Sequence, residues 1–256
     1  MADSQTKNIR KVALTSLAGT SIEWYDFFLY GTAAAIIFPK AFFPSDMPAM
    51  VALIASFSTF AVGFLARPLG GIIFGHFGDR VGRKQTLVLA LLIMGTSTTL
   101  IGLLPTYATI GYIAPLILVL LRFVQGLAIG GQWGGAMLLV TESAPADKRG
   151  WYGAYAQAGA PIGVILANLA FLGVSGGMSE DAFLDWGWRL PFLASIVLIG
   201  VSLYVQLNLE DTEAFKKLAN NQSVGSIEDT PIRRSPIVEV IVNYPKRIFL
   251  AAGAFL

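Results

Sequence analysis

The chain has 256 residues, 55% of them hydrophobic and 13% charged, and its mean hydropathy is +0.64. A soluble domain of this length needs far less apolar composition to bury its core, so the chain reads as an all-α integral membrane protein. Its net charge of +2 comes from bases scattered over short connections, which argues against a nucleic-acid partner, and the absence of cysteine excludes disulfides and thiolate chemistry.

Residues 1–11 are polar, carry Lys7, Arg10 and Lys11, and read as a tail. The apolar run at about 12–38 exceeds the roughly 7–15 residues of a cleavable signal's apolar stretch, so it reads as a retained first span. Further runs fall at about 50–77, 86–104, 113–141, 152–173 and 190–207, each near or above the ~20 residues that cross a bilayer as a helix. Residues 12–207 are therefore expected to form a six-helix bundle. A polar segment, 208–247, follows as a connection, and 248–256 reads as the start of a seventh helix. The expectation is half of a longer protein that does not work alone.

Between the second and third spans lies Gly75-His76-Phe77-Gly78-Asp79-Arg80-Val81-Gly82-Arg83-Lys84, read as a glycine-permitted basic turn. Lysine and arginine in short loops are retained on the cytoplasmic side. Three bases precede the first span, three follow the second, two (Lys148, Arg149) follow the fourth and six follow the sixth, while only Lys40 and Arg189 fall on the other side. This places the N-terminus in the cytoplasm.

Four ionisable residues lie inside spans: Glu23 and Asp26 in the first, Arg67 in the second and Arg122 in the fourth. Each costs at least about 2.5–3.5 kcal/mol at mid-membrane unless it finds a partner or a water-filled path. With ~1.5 Å of rise per residue, Asp26 and Arg122 lie about 18 and 14 Å from the outer helix ends, and Glu23 and Arg67 about 23 and 26 Å. Depth thus pairs Asp26 with Arg122 and Glu23 with Arg67. Glu23, Asp26 and Tyr30 share one helical face, as do Arg122, Gln125, Ile129 and Gln132, so two polar stripes are expected to line a central path. Gly126, Gly130 and Gly134, spaced four apart, allow a close helix crossing. No HExxH, GxSxG, GxGxxG or phosphate-loop pattern occurs, so neither an enzyme nor a bound cofactor is expected.

Gly75-xxx-Asp79-Arg80-x-Gly82-Arg83-Lys84 resembles the loop signature of the major facilitator superfamily, and Arg122-xx-Gln125-Gly126-xxx-Gly130 resembles its fourth-helix signature. Glu23-Trp24-Tyr25-Asp26-Phe27, the run from Phe64 to Gly71 and Glu142-Ser143-Ala144-Pro145 are similar to the metabolite:proton symporter family, whose members carry shikimate, α-ketoglutarate, citrate, and proline or betaine. The resemblance implies a twelve-helix carrier in the bacterial inner membrane, of which this is the six-helix N-terminal bundle. It also implies that Gly75, Asp79, Arg80, Gly82, Arg83, Glu142 and Arg149 form a cytoplasmic gate and that Asp26 and Arg122 are the proton switch. Where that family has Gly-Gly-Glu-Trp-Gly-Gly-Ala, this chain has Gln132 in the glutamate's place. Residues 158–163 partly resemble the glycine-proline signature of drug antiporters.

The expected function is proton-coupled symport of a small polar organic solute, a carboxylate such as shikimate or a dicarboxylate, with the proton as coupling ion. Glu23 and Arg67 accompany Asp26 and Arg122 in coupling. Tyr30, Arg122, Gln125, Gln132, Trp133, Gln157 and Asn168 are the expected solute-binding residues. The partners are the solute, protons, the lipid bilayer and a second six-helix bundle. A proton-driven exporter or uniporter of the same fold is the alternative, and a non-transporting receptor or enzyme the third reading.

Overall fold

The computed structural model describes residues 2–81 and 83–207, without the side chains of 2–8, 79–84, 132–139, 142–143, 198, 201–202 and 205–207. The expected connection 208–247 and seventh helix lie outside the described residues. Six long helices run through what is described: α1 (Ala2–Ile36), α3 (Ala49–Val81), α4 (Arg83–Leu103), α6 (Ile113–Ser143), α7 (Arg149–Ser175) and α9 (Arg189–Leu207). Short helices cover the turns at one end of the bundle: α2 (Phe38–Ala41), α5 (Tyr107–Ile110) and α8 (Glu180–Ala182). Only helices satisfy every backbone group within one segment in lipid, which is why long apolar runs adopt them.

By length and apolarity, Ala49–Gly78, Gln85–Leu103, Ile113–Gly131 and Ala146–Ser175 can cross a membrane. α1 carries a more polar burden, with Thr15, Ser16, Thr20, Ser21, Glu23 and Asp26 all buried. Three of its hydroxyls return to the helix's own carbonyls: Thr15 to Lys11 at 2.8 Å, Thr20 to Ser16 at 2.9 Å and Ser21 to Leu17 at 2.7 Å. These hydroxyls therefore need no partner helix. The two carboxylates do.

The expected ten-residue turn at 75–84 is corrected. α3 continues to Val81 and α4 begins at Arg83, so most of that stretch is helix. Glycine costs a helix only about 1 kcal/mol per residue relative to alanine, and an unbroken hydrogen-bond ladder outweighs that. The backbone is likewise helical from Ala2 rather than from residue 12.

α3 packs along α6, α1 along α7, and α4 lies between α6 and α9. The α3–α6 crossing is close because small residues stand where the backbones meet. A Cβ on Gly126 would strike the Gly63 carbonyl oxygen, and one on Gly130 the Arg67 carbonyl oxygen. Glycine spacing on α6 thus brings Arg67 on α3 and Arg122 on α6 beside α1. At the end that carries α2, α5 and α8, Phe38, Phe42, Trp188 and Phe192 form an aromatic core. There Tyr25 donates to the Pro191 carbonyl at 2.7 Å, tying α1 to α9.

Candidate functional site

Asp26 and Arg122 meet at the centre of the bundle, where Arg122 Nη1 donates to Asp26 Oδ2 at 3.3 Å. Gln125, one turn along α6, joins them: its Oε1 accepts from Arg122 Nη1 at 3.2 Å and its Nε2 donates to Asp26 Oδ1 at 3.1 Å. The reverse amide orientation would set oxygen against carboxylate and NH2 against guanidinium, so the network fixes which way Gln125 points.

Thr98 on α4 completes the cluster. Its hydroxyl accepts from Gln125 Nε2 at 2.8 Å and has one proton for two acceptors, Asp26 Oδ1 at 2.5 Å and the Met94 carbonyl at 2.9 Å. The Arg122 guanidinium lies beside two mutually stacked rings, 4.2 Å from the Tyr30 centroid and 4.8 Å from that of Phe60, whose centroids are 5.7 Å apart. Aromatic rings at this distance attract a cation, and its N–H donors remain for the carboxylate. Thr59 donates to the Ser56 carbonyl at 2.7 Å, so the Tyr30 hydroxyl donates to Thr59, also at 2.7 Å. Arg122 is 1% exposed, Asp26 2%, Gln125 0% and Tyr30 0%. The cluster is sealed. A solute does not reach Arg122, Gln125 or Tyr30 in this conformation.

Glu23 and Arg67 are arranged differently from their expected pairing, which is corrected here. No ion pair joins them among the described residues; the Arg67 guanidinium lies 4.5 Å from the Phe64 ring centroid and 5.6 Å from that of Phe27. The aromatic rings on α1 and α3 hold the guanidinium out of direct contact with Glu23 while leaving the two side chains on one cavity. Both residues instead line a cavity of about 510 Å3 between α1, α3 and α6, with Trp24, Phe64, Pro68, Gly71, Ile129 and Gly130. Glu23 is buried, and its Oε2 has no hydrogen-bond partner among the described residues.

Of the other expected solute-binding residues, Gln157 and Asn168 are exposed on α7, where Asn168 donates to its own helix at Val164, 2.9 Å. The side chains of Gln132 and Trp133 lie outside the described residues, as do those of Asp79, Arg80, Arg83, Lys84 and Glu142, and Gly82 altogether. The backbone still places the expected gate at one end of the bundle. Asp79 and Glu142 fall in the last turns of α3 and α6, while Arg83 and Arg149 open α4 and α7. All four charges oppose the helix dipole, which favours bases at C-termini and acids at N-termini. Helix-end electrostatics therefore do not account for them. Gly75 is exposed and a Cβ there would meet nothing within 4 Å.

Sequence reasoning missed Thr98, Phe60 and Gly63. Thr98 stands in the run Thr96-Ser97-Thr98-Thr99, a polar patch in an apolar span that was the available signal. It is a weak one, because a threonine hydroxyl can satisfy itself on its own helix.

The sequence profile of the family described as "Sugar (and other) transporter" matches residues 11–227. The inner membrane metabolite transport protein YhjE of Escherichia coli K12 is 55% identical over 209 residues, 82% of this chain and 47% of that protein. The shikimate transporter of the same organism is 46% identical over 247 residues, 96% of this chain and 53% of its own length. The proline/betaine transporter of E. coli K12 is 39% identical over 248 residues, 96% and 49%. The chain thus spans about half the length of the curated relatives it matches. Among solved structures, the proton:xylose symporter XylE bound to 6-bromo-6-deoxy-D-glucose superposes with a TM-score of 0.75 at 16% identity, covering 86% of this chain and 48% of that one. At that identity the likeness shows the fold. The chain is a multi-pass membrane protein and belongs to the sugar (and other) transporter family of the major facilitator superfamily.

Proposed function

We propose that this chain supplies the N-terminal six-helix half of a secondary transporter that couples protons to the movement of a small polar organic solute. The observation that carries this reading is the sealed cluster: one carboxylate, Asp26, held by donors from three side chains, Arg122, Gln125 and Thr98, on two other helices. Protonating Asp26 removes its charge and with it the attraction to Arg122. The Thr98 hydroxyl then has the Met94 carbonyl as its second acceptor, 2.9 Å away. The contacts joining α1 to α4 and α6 therefore weaken together when the proton arrives, which biases one bundle arrangement over another.

The relatives named for shikimate and for proline or betaine support a small organic acid or its zwitterionic equivalent as solute. Transport follows alternating access, with the second six-helix bundle of the full-length protein closing the central path. The distribution of bases supports a cytoplasmic N-terminus, and the gate charges at residues 79, 83, 142 and 149 then face the cytoplasm. A membrane potential adds about 2.3 kcal/mol per charge per 100 mV to proton-coupled uptake.

The test is uptake of labelled shikimate, 2-oxoglutarate, proline and glycine betaine by the full-length protein in proteoliposomes, with and without an imposed pH gradient. Gradient-driven accumulation is expected. Gradient-driven efflux would assign the exporter reading, and gradient-independent equilibration the uniporter.

A further inference from the structure

Arg122 lies against the Tyr30 and Phe60 rings, ion-paired and 1% exposed, so it cannot take a solute's carboxylate without dismantling the cluster. Arg67 can. It borders a cavity of about 510 Å3, enough for a small organic acid. Its guanidinium is supported on the faces of Phe64 and Phe27, and among the described residues it has no hydrogen-bonding partner. Its planar fork of donors is then available for bidentate contact with a carboxylate. On the same cavity wall stands Glu23, whose buried Oε2 is unpartnered. A buried ionised carboxylate without hydrogen bonds is costly, and a nearby cation offsets that cost.

We infer that the α1/α3/α6 cavity holds the solute's carboxylate on Arg67 and that the same event loads a proton onto Glu23. The inference rests on the transporter reading above and names its solute subsite. While the cavity is empty, Arg67 is the cation whose field reaches Glu23. A carboxylate on Arg67 neutralises that field and sets a second anion beside Glu23. Solute and proton then favour each other's binding, by the same factor in either direction. Charge balances: one carboxylate and one proton enter together, Arg67 pairs with the first and Glu23 becomes neutral. The neutral carboxylic acid also gains a donor for the solute's oxygens.

The charged groups around Glu23 are few among the described residues. α3 brings Arg67, and α1 brings Asp26 one turn along. α6 brings Ile129 and Gly130 at the cavity and Arg122 behind Asp26. α7 meets this part of α1 through the backbone at Gly159 and Gly163. Arg67 is thus the group whose neutralisation Glu23 registers most directly.

The experiment is calorimetric binding to purified full-length protein in buffers of different ionisation enthalpy, which counts protons taken up per solute. The probes are shikimate, 2-oxoglutarate, proline and glycine betaine, and thermal denaturation checks that each variant is folded. For the probe that binds wild type, Glu23→Gln should retain binding, lose the linked proton uptake and show an affinity that no longer varies with pH. Arg67→Lys should weaken binding at least tenfold. Asp26→Asn should keep the linked uptake, and this separates the inference from the coupling role of Asp26, which is read by accumulation. Unchanged proton uptake in Glu23→Gln, unchanged affinity in Arg67→Lys, or no binding of any of the four carboxylates overturns the inference.

Discussion

Thr98 Oγ1 lies 2.5 Å from Asp26 Oδ1 and also 2.9 Å from the Met94 carbonyl, so one hydroxyl proton serves a charged acceptor or a neutral one. A hydrogen bond to a charged group contributes about 1.5–3 kcal/mol, more than one to a neutral carbonyl. Which acceptor holds the proton therefore depends on whether Asp26 is ionised. Thr98→Val removes the donor and also the acceptor for Gln125. We expect a lower melting temperature for the purified full-length protein and transport reduced at least tenfold, with Thr98→Ser close to wild type on both. A valine variant with normal uptake would remove Thr98 from the account.

Gly63 makes room for Arg122. A Cβ at that position would stand 2.8 Å from Arg122 Nε and 3.3 Å from its Cγ, and the side chain, 1% exposed and set against the Tyr30 and Phe60 rings, has little space to retreat. Gly63→Ala is expected to displace Arg122 from Asp26 and abolish proton-driven accumulation. Gly173→Ala, where nothing lies within 4 Å, is the control and should behave as wild type.

The gate charges at the helix ends each oppose the local dipole, at a cost of about 0.3–1 kcal/mol. We propose that they gate the cytoplasmic side of the full-length carrier. Asp79→Ala, Arg83→Ala and Glu142→Ala should each lower transport at least tenfold while leaving solute affinity within about threefold. Equal losses in affinity would place these residues in binding rather than gating.

This chain has no cysteine, so a cysteine introduced into it is its single thiol, and labelling is scored against the unsubstituted full-length protein. A membrane-impermeant thiol reagent applied outside intact cells should label Ser45→Cys in the turn after α2 and spare Gln85→Cys near the start of α4. The opposite pattern would invert the orientation inferred from the bases.

Much of the architecture was legible because a lipid-spanning helix needs a long apolar run, and such runs survive in sequence without any knowledge of packing. Depth counting also found Asp26 and Arg122, since two mid-membrane charges of opposite sign on facing stripes have few other partners. The same reasoning set Glu23 and Arg67 at one depth, and they do line one cavity. It could not tell that the Phe64 and Phe27 rings would keep them from a direct ion pair, which depends on how α1 and α3 cross. Three glycines between residues 75 and 82 suggested a turn, yet glycine only weakens a helix and α3 runs on to Val81. Thr98 stayed hidden because its role comes from α4 lying against α6, a contact no local pattern encodes.

The central claim is that protonation of Asp26 releases α1 from α4 and α6 and so drives net transport. Its most direct measurement compares Asp26→Asn with wild-type full-length protein in proteoliposomes, scoring solute accumulation under a pH gradient and solute exchange without one. Asparagine keeps the size and part of the hydrogen bonding of Asp26 but cannot change charge. The expected result is exchange retained and gradient-driven accumulation lost; accumulation that persists at wild-type level in Asp26→Asn contradicts the account.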